Sequence, residues 1–206
     1  MPNPGEIVSS LAEIARTWPL LALWWHLYFA VCVIALIAGF KPSRRLFGLA
    51  MVAPMLSVSA LAWLGSNPFN GTIFAFAAIV FIAVAARIGV GNVRLAPWPF
   101  VIAGGLLFAF GWLYPHFIDA ASILTYLYAT PLGLIPCPTL SAIVGLTVMF
   151  GGLGSRPWSS TLGVLAAFYG IYGALVLEIE IDWVLAAGAL FVVVALYSGE
   201  PGRHVR

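Results

Sequence analysis

Long runs of apolar residues alternate along the chain with short connections that are rich in Pro, Gly and charged residues. A helix needs about 20 apolar residues to cross about 30 Å of hydrocarbon. The pattern therefore predicts an all-α, polytopic transmembrane helical bundle in one domain, residues 1–206. About seven spans are expected, at about 19–39, 46–64, 71–86, 97–114, 138–153, 158–177 and 183–197.

The first 18 residues have a different pattern. Ile7, Leu11 and Ile14 recur at helical spacing, with polar residues between them. Asn3-Pro4-x-Glu6 is typical of a helix start, with a capping side chain, Pro in the first turn and Glu three residues on. We expect a short amphipathic helix over 4–17 that lies in the membrane interface.

Residues 117–136 are apolar but are interrupted by Pro131, Gly133 and Pro136. We expect a re-entrant or interfacial segment, because a full crossing here would invert the sidedness of every later connection.

Charge predicts the orientation. Eight of the nine basic residues lie in the connections after spans one, three and five or in the C-terminal tail, and Arg16 is the exception. The positive-inside rule then places the N-terminus outside and the C-terminus in the cytoplasm, in the cell inner (plasma) membrane. The eight residues are Lys41, Arg44, Arg45, Arg87, Arg94, Arg156, Arg203 and Arg206.

Composition agrees with a membrane location. The chain is 63% hydrophobic and 8% charged, whereas a soluble domain carries about 25% charge. The net charge of +2 and the lack of a basic cluster argue against nucleic acid as a partner. The expected partners are the lipid bilayer and either other membrane proteins or further copies of this chain. Several aromatic residues fall near span ends, where rings favour the headgroup level: Trp18, Trp98, Trp112, Tyr114, Trp158, Trp183 and Tyr197.

Few polar side chains fall within or beside the spans, and each is a candidate site residue because polar groups at membrane depth cost free energy. Cys137, His26 and His116, with Asp119 as an auxiliary, all fall in the outer half and predict a transition-metal site. In Pro136-Cys137-Pro138, Pro138 suits the first helical position, so Cys137 is expected at the N-cap, where the helix dipole favours a thiolate. The alternatives are a small apolar filler at 137 and a histidine that is hydrogen-bonded within the bundle.

The turn Glu178-Ile179-Glu180-Ile181-Asp182 is acidic. It either attracts cations to an outer mouth or forms a solvated loop that helps to set the topology.

Several function classes are excluded or disfavoured. The chain has no Walker, GxSxG or HExxH motif, so an enzyme is not favoured. Its one lysine, Lys41, lies in a cytoplasmic connection, so span seven offers no Schiff-base lysine for a retinal protein.

Short motifs carry a resemblance. Pro136-Cys137-Pro138-Thr139 is similar to the Pro-Cys-Pro-Thr segment of a family of small bacterial multi-pass membrane proteins of unknown function. Asn67-Pro68-Phe69, Tyr114-Pro115 and Asp182 extend the likeness, which implies a fold and no activity. Residues 133–138 also resemble a Gly-Leu-Ile-Pro-Cys-Pro segment of some nickel/cobalt efflux permeases, but the histidine-rich loops and the His/Asp motif of those permeases are absent.

Three functions are compatible with the sequence. The first is a membrane protein that transports or senses a small solute, such as a soft metal ion, through an outer-half site. The second is a non-catalytic accessory subunit of a larger membrane complex. The third is a haem-binding electron-transfer protein that uses His26 and His116.

Overall fold

The computed structural model describes residues 3–118 and 122–198. Within these ranges the chain is all-α, which confirms the predicted class. The described part contains eight α-helices and three short 3₁₀ turns. The helices are α1 (Pro4–Thr17), α2 (Pro19–Ile37), α3 (Arg44–Leu64), α4 (Pro68–Ala86), α5 (Trp98–Trp112), α6 (Pro136–Met149), α7 (Arg156–Leu175) and α8 (Trp183–Ser198); the turns are Ile123–Leu127, Gly151–Gly154 and Glu180–Asp182.

Helices α2, α3 and α4 are each long and apolar enough to cross a membrane, whereas α5 and α6 are apolar but shorter. Large apolar side chains are exposed on the outer surface of the bundle. Leu20 and Ile37 are each 81% exposed, and Val164 on α7 is 72% exposed. An apolar exterior of this kind is stable in lipid and is typical of a membrane protein.

Helix α1 has the predicted bounds and the predicted cap. The Asn3 side chain accepts from the Gly5 N–H at 2.7 Å, and the Glu6 carboxylate accepts from the Asn3 N–H at 3.0 Å. The apolar stripe of α1 is buried against α3 and the segment before α6. Ser10 Oγ donates to the Gly65 carbonyl at 2.9 Å and ties α1 to the α3–α4 connection.

Helices α2 to α8 alternate in direction, so their connections gather at two ends. At one end, the Arg44 N–H donates to the Gly91 carbonyl at 2.9 Å, and the Ala96 N–H donates to the Met149 carbonyl at 2.8 Å. These bonds join the connections after α2, α4 and α6. Each of these connections carries basic residues, so the described basic residues other than Arg16 lie at this basic end.

The opposite end holds α1, the 3₁₀ turn Ile123–Leu127 and the acidic turn before α8. Trp112 Nε1 donates to the Leu127 carbonyl at 2.9 Å, which folds the segment after α5 back over this acidic end. The segment 122–135 makes turns and no α-helix.

Helix α6 lies at the centre of the bundle. Every residue from Thr130 to Val148 is buried, and α6 contacts α3, α5, α7 and α8. Fourteen residues of helix extend about 21 Å, and the segment 130–135 that precedes the helix is also buried. Buried irregular backbone is stable only where its polar groups are paired.

The segment 131–135 satisfies this requirement through Thr139. Thr139 Oγ1 accepts from the Gly133 N–H at 2.9 Å and donates to the Ile135 carbonyl at 2.7 Å. Gly133 has a positive φ of 73°, and a Cβ there would collide with the Trp25 ring. Glycine is therefore required at 133 by both its backbone conformation and its packing.

Two aromatic residues that were expected at the membrane interface are buried instead. Trp158 is fully buried, and its Nε1 donates to Thr147 Oγ1 on α6 at 3.2 Å. Tyr114 is also fully buried. Their positions near helix ends suggested an interface role, but each carries one polar group that finds a partner inside the bundle.

Helices α5 and α6 approach closely because glycines face each other. A Cβ added at Gly104 would lie 2.5 Å from the Gly145 carbonyl oxygen, and a Cβ at Gly111 would lie 2.5 Å from the Pro138 carbonyl oxygen. Small residues at such contacts let backbones pack directly against each other.

Replacement of Gly104 by Ala should destabilise the bundle, because the added methyl meets the backbone of α6. Gly105→Ala is the matched control, since nothing lies within 4 Å of the added Cβ and Ala favours a helix over Gly by about 1 kcal/mol. Thermal unfolding in detergent micelles should give a lower midpoint for Gly104→Ala and an unchanged or higher one for Gly105→Ala. Equal midpoints for the two variants would contradict close α5–α6 packing.

Candidate functional site

A buried carboxyl group lies at the acidic end of the bundle. Asp182 is fully buried, although the sequence suggested a solvated or cation-attracting turn. Asp182 Oδ1 accepts from the Tyr114 hydroxyl at 2.7 Å. This bond joins the end of α5 to the turn between α7 and α8 and brings together two residues that are far apart in the chain.

The turn around Asp182 is held by backbone bonds. The Asp182 N–H donates to the Ile179 carbonyl at 2.9 Å, and the Ile179 N–H donates to the Gly173 carbonyl at 2.9 Å. A Cβ at Gly173 would collide with Asp182 Oδ2, so glycine there admits the carboxyl group against α7. Oδ2 has no hydrogen-bond partner among the described residues.

Burial changes the acidity of this group. Asp182 lies in the 3₁₀ turn Glu180–Asp182, outside α7 and α8, and burial raises its pKa to about 6. Desolvation disfavours the charged form, while the nearby Cys137 thiol and the hydrogen bond from Tyr114 oppose this effect. The described basic side chains other than Arg16 lie at the opposite end of the bundle and offer no counter-charge.

Cys137 packs beside Asp182, but not at the position expected from the sequence. The N-cap of α6 is Ile135, Pro136 is the first helical residue, and Cys137 is the second. The prediction of Cys137 at the N-cap is wrong because Pro136, like Pro138, suits the first turn of a helix. The Cys137 thiol lies close enough to the Asp182 carboxyl group to interact with it. A thiolate there would place a second negative charge beside a carboxylate, so the thiol form is favoured as a donor.

Further polar groups extend this cluster toward α4. Tyr169 on α7 lies close enough to Cys137 to interact electrostatically, and its hydroxyl donates to Asn70 Oδ1 at 2.9 Å. Asn67 caps α4 by accepting from the Asn70 N–H at 3.2 Å. We refer to Cys137, Asp182, Tyr114, Tyr169 and Asn70 as the buried polar cluster.

His26 lies at the same end of the bundle and is engaged by protein oxygens. Its Nδ1 lies 2.8 Å from the Ala22 carbonyl oxygen, and its Nε2 lies 3.0 Å from Thr130 Oγ1. The Thr130 hydroxyl also donates to the Trp112 carbonyl at 2.6 Å. His26 therefore joins α2 to the end of α5 and to the segment before α6, and a metal or haem iron would have to displace one of these oxygens.

His116 lies beyond the end of α5 and is partly buried. Its ring packs edge-on against Phe117, with centroids 4.3 Å apart, and burial lowers its pKa. Asp119 lies outside the described residues. Within residues 3–118 and 122–198, no three His, Cys, Asp or Glu side chains are grouped so that they could hold a metal ion. The four-residue metal set remains a prediction.

Sequence reasoning identified Cys137 but did not identify its partners. From the sequence, Asp182 was expected in a surface turn and Tyr114 at the membrane interface. No role was assigned to Tyr169. One signal was present: Asn67, Tyr114, Cys137 and Asp182 each belong to the short motifs that carried the resemblance, and the structure brings these motifs to the same end of the bundle.

Comparison with known proteins adds no identification: no protein-family model, curated protein or solved structure matches this chain. The resemblance to small bacterial membrane proteins therefore stays a sequence-level expectation.

Replacement of Asp182 by Asn should remove a pH dependence of stability. The pKa of Asp182 is raised by burial to about 6, above its value of 3.8 in the unfolded chain. The folded state therefore binds the proton more tightly, and its stability is highest below about pH 4 and falls as the pH rises to about 6. Thermal unfolding across this range should show the decline in the wild type and not in Asp182→Asn.

The exposed neighbour Glu180 provides the matched control, since Glu180→Gln leaves the buried carboxyl group in place. Its profile should follow the wild type. Parallel profiles for wild type and Asp182→Asn would show that Asp182 does not titrate in this range.

Proposed function

We propose that this chain is a multi-pass membrane protein in which α2 to α8 all cross the bilayer, with the N-terminus outside and the C-terminus in the cytoplasm. The alternating helix directions support seven crossings, and the basic connections at one end support the orientation under the positive-inside rule. In this arrangement α1 lies at the outer interface, and the buried polar cluster lies in the outer half.

Single cysteines introduced at exposed positions test this topology. In a variant in which Cys32 and Cys137 are Ser, a membrane-impermeant maleimide applied to intact cells should label Glu180→Cys and not Arg94→Cys. Labelling of Arg94→Cys alone in intact cells would indicate the opposite orientation. Labelling of both positions would contradict the proposed alternation of the crossings.

Within this membrane protein, we infer a site that transports or senses a small solute. The observation that carries this inference is Asp182, a fully buried carboxyl group with an unpartnered oxygen beside the Cys137 thiol. A buried charge costs several kcal/mol, and apolar side chains would fill the same space more cheaply. Ionisable groups retained inside a membrane bundle mark ion or solute sites as a rule.

The chemistry of the cluster favours a soft or borderline cation. Sulfur binds soft metals, and a carboxylate supplies the charge that offsets the loss of hydration. Metal binding would deprotonate Cys137 and place a positive charge beside Asp182, which removes the repulsion between thiolate and carboxylate. The ligands thus suggested are Cys137 and Asp182, with Tyr114 as a neighbour; His26 and His116 are further ligands in the sequence-based prediction.

Calorimetric titration of purified protein with Cd²⁺ tests this proposal. The wild type should bind Cd²⁺, and Cys137→Ser and Asp182→Asn should each bind at least about tenfold more weakly, because each loses a charged ligand. Cys32→Ser is the matched control, since Cys32 lies on α2 and interacts with Tyr28, which is not part of the cluster. Titration with Ca²⁺ controls for binding that depends only on the charge of the cation.

Equal Cd²⁺ affinity in the wild type and Cys137→Ser would overturn the metal proposal. His26→Gln and His116→Gln then show whether either histidine contributes, as a loss of affinity similar to that of Cys137→Ser.

The accessory-subunit function also has a specific observation in its favour. A groove of about 620 Å³ runs between α7 and α8 on the outer surface, and its lining includes the small residues Gly163, Ala167, Ala186 and Ala187. Helices of membrane complexes pack closely against such surfaces. A wild type without affinity for Cd²⁺ would leave this function as the better supported one.

A further inference from the structure

A groove between α4 and α7 opens on the outer surface of the bundle. It has a volume of about 560 Å³, and its lining is mostly apolar, with Phe76 and Val80 from α4 and Val164 and Phe168 from α7. The two helices run in opposite directions, so the groove extends along the bundle from the basic end toward the acidic end. With α4 and α7 crossing the bilayer, as proposed above, this groove faces the lipid.

Two hydroxyl groups interrupt the apolar lining near the basic end. Ser160 and Thr161 line the groove from the second turn of α7. Ser160 is exposed, Thr161 is half-buried, and neither hydroxyl makes a hydrogen bond with a described residue. A hydroxyl group that faces hydrocarbon without a partner costs free energy. The pair is therefore suited to an acceptor that is not part of the described chain.

Two guanidinium groups lie beyond this end of the groove. Arg87 is the C-cap of α4, seven residues after Val80, which places it on the groove face about 10 Å farther along the axis. Arg45 Nη2 lies 3.5 Å from the carbonyl oxygen of Ile88, the residue after Arg87. Both arginines are exposed, and every acidic residue among the described residues lies at the opposite end of the bundle. The end of α4 is therefore suited to an anion.

The arginines and the hydroxyl groups belong to one region. Trp158 in the first turn of α7 packs against Phe81 of α4, with ring centroids 4.8 Å apart. The start of α7 therefore lies beside the last turns of α4. From the basic end inward, a ligand in this region meets positive charge, then hydroxyl groups, then an apolar channel.

This order matches the parts of a phospholipid. We propose that the α4–α7 groove binds one anionic glycerophospholipid of the cytoplasmic leaflet, with its phosphate at Arg45 and Arg87, its ester carbonyls at Ser160 and Thr161, and one acyl chain along the groove. Basic sites between transmembrane helices on the cytoplasmic side bind such headgroups. Lipid tails are as apolar as the lining, so the chain adds only packing and the headgroup determines selectivity.

The distribution of charge favours a lipid over a second copy of this chain. A copy inserted with the same orientation would bring its own basic end to Arg45 and Arg87, because its described acidic residues lie at the other end. The two guanidinium groups would then meet like charge. The headgroup of phosphatidylglycerol carries one negative charge at the depth where these groups lie.

Native mass spectrometry of the full chain in nanodiscs tests this site. Phosphatidylglycerol is titrated into a phosphatidylcholine background, and the lipid that stays bound to the released protein is counted. The wild type should retain one phosphatidylglycerol in preference to phosphatidylcholine. Arg45→Gln/Arg87→Gln should weaken this binding at least about tenfold, since two basic contacts with an anionic headgroup are lost.

Two matched controls separate the groove from a general effect of charge or size. Lys41→Gln/Arg94→Gln removes the same charge from exposed positions at the same end that do not line the groove, so it should bind as the wild type does. Val80→Trp fills the groove and should lower the amount of bound lipid. Ile79→Trp, at a neighbouring position that is 65% exposed and outside the lining, should not.

An ether-linked phosphatidylglycerol tests the hydroxyl contacts, because it lacks the ester carbonyls. It should bind the wild type about three- to tenfold more weakly than the ester lipid, as expected for the loss of a hydrogen bond. Ser160→Ala/Thr161→Val should bind the two lipids equally. Discrimination that is unchanged in this variant would overturn the placement of the esters at Ser160 and Thr161.

Three results would overturn the proposal as a whole. The first is equal retention of phosphatidylglycerol and phosphatidylcholine by the wild type. The second is an equal loss of binding in Arg45→Gln/Arg87→Gln and Lys41→Gln/Arg94→Gln. The third is a lipid-free dimer that Val80→Trp disrupts, which would identify a second copy as the occupant. None of these results depends on Cd²⁺ binding, and a wrong topology would show separately in the maleimide labelling.

Discussion

The complete enclosure of α6 is the constraint on which the rest of the structure depends. A short helix that continues into irregular backbone at both ends is stable in a buried position only if its polar backbone groups are paired inside the protein. Thr139 meets this requirement before the helix by bonding Gly133 and Ile135. The surrounding helices meet it along the helix, since α5 approaches α6 through glycines that allow backbone contact. Because the polar backbone around α6 is paired inside the bundle, the surrounding helices can expose apolar side chains on their outer faces.

The same enclosure produces the polar cluster. Because α6 begins inside the bundle, its first turn meets the end of α5 and the turn before α8, and Cys137 comes to lie beside Asp182. Polar groups at this place are shielded from solvent, so their interactions are stronger and their unpaired atoms more costly than at a surface.

The helices were largely predictable, because apolar runs and their Pro and Gly boundaries are local properties of a sequence. The cap of α1 followed from Asn3, Pro4 and Glu6 alone. The partners of Cys137 were not predictable in this way. Asp182 and Tyr114 stand next to helix ends, where the sequence pattern is the same for a solvated group and for one that folds inward. Their burial depends on which helix ends meet, and this is set by long-range packing around α6.

The contact between Gly173 and Asp182 has a consequence for related sequences. The carboxyl group occupies the space that any larger side chain at 173 would need. In homologues of this chain, the two positions should therefore covary: a residue larger than glycine at 173 is compatible only with a small residue at 182, and an acidic residue at 182 requires glycine at 173.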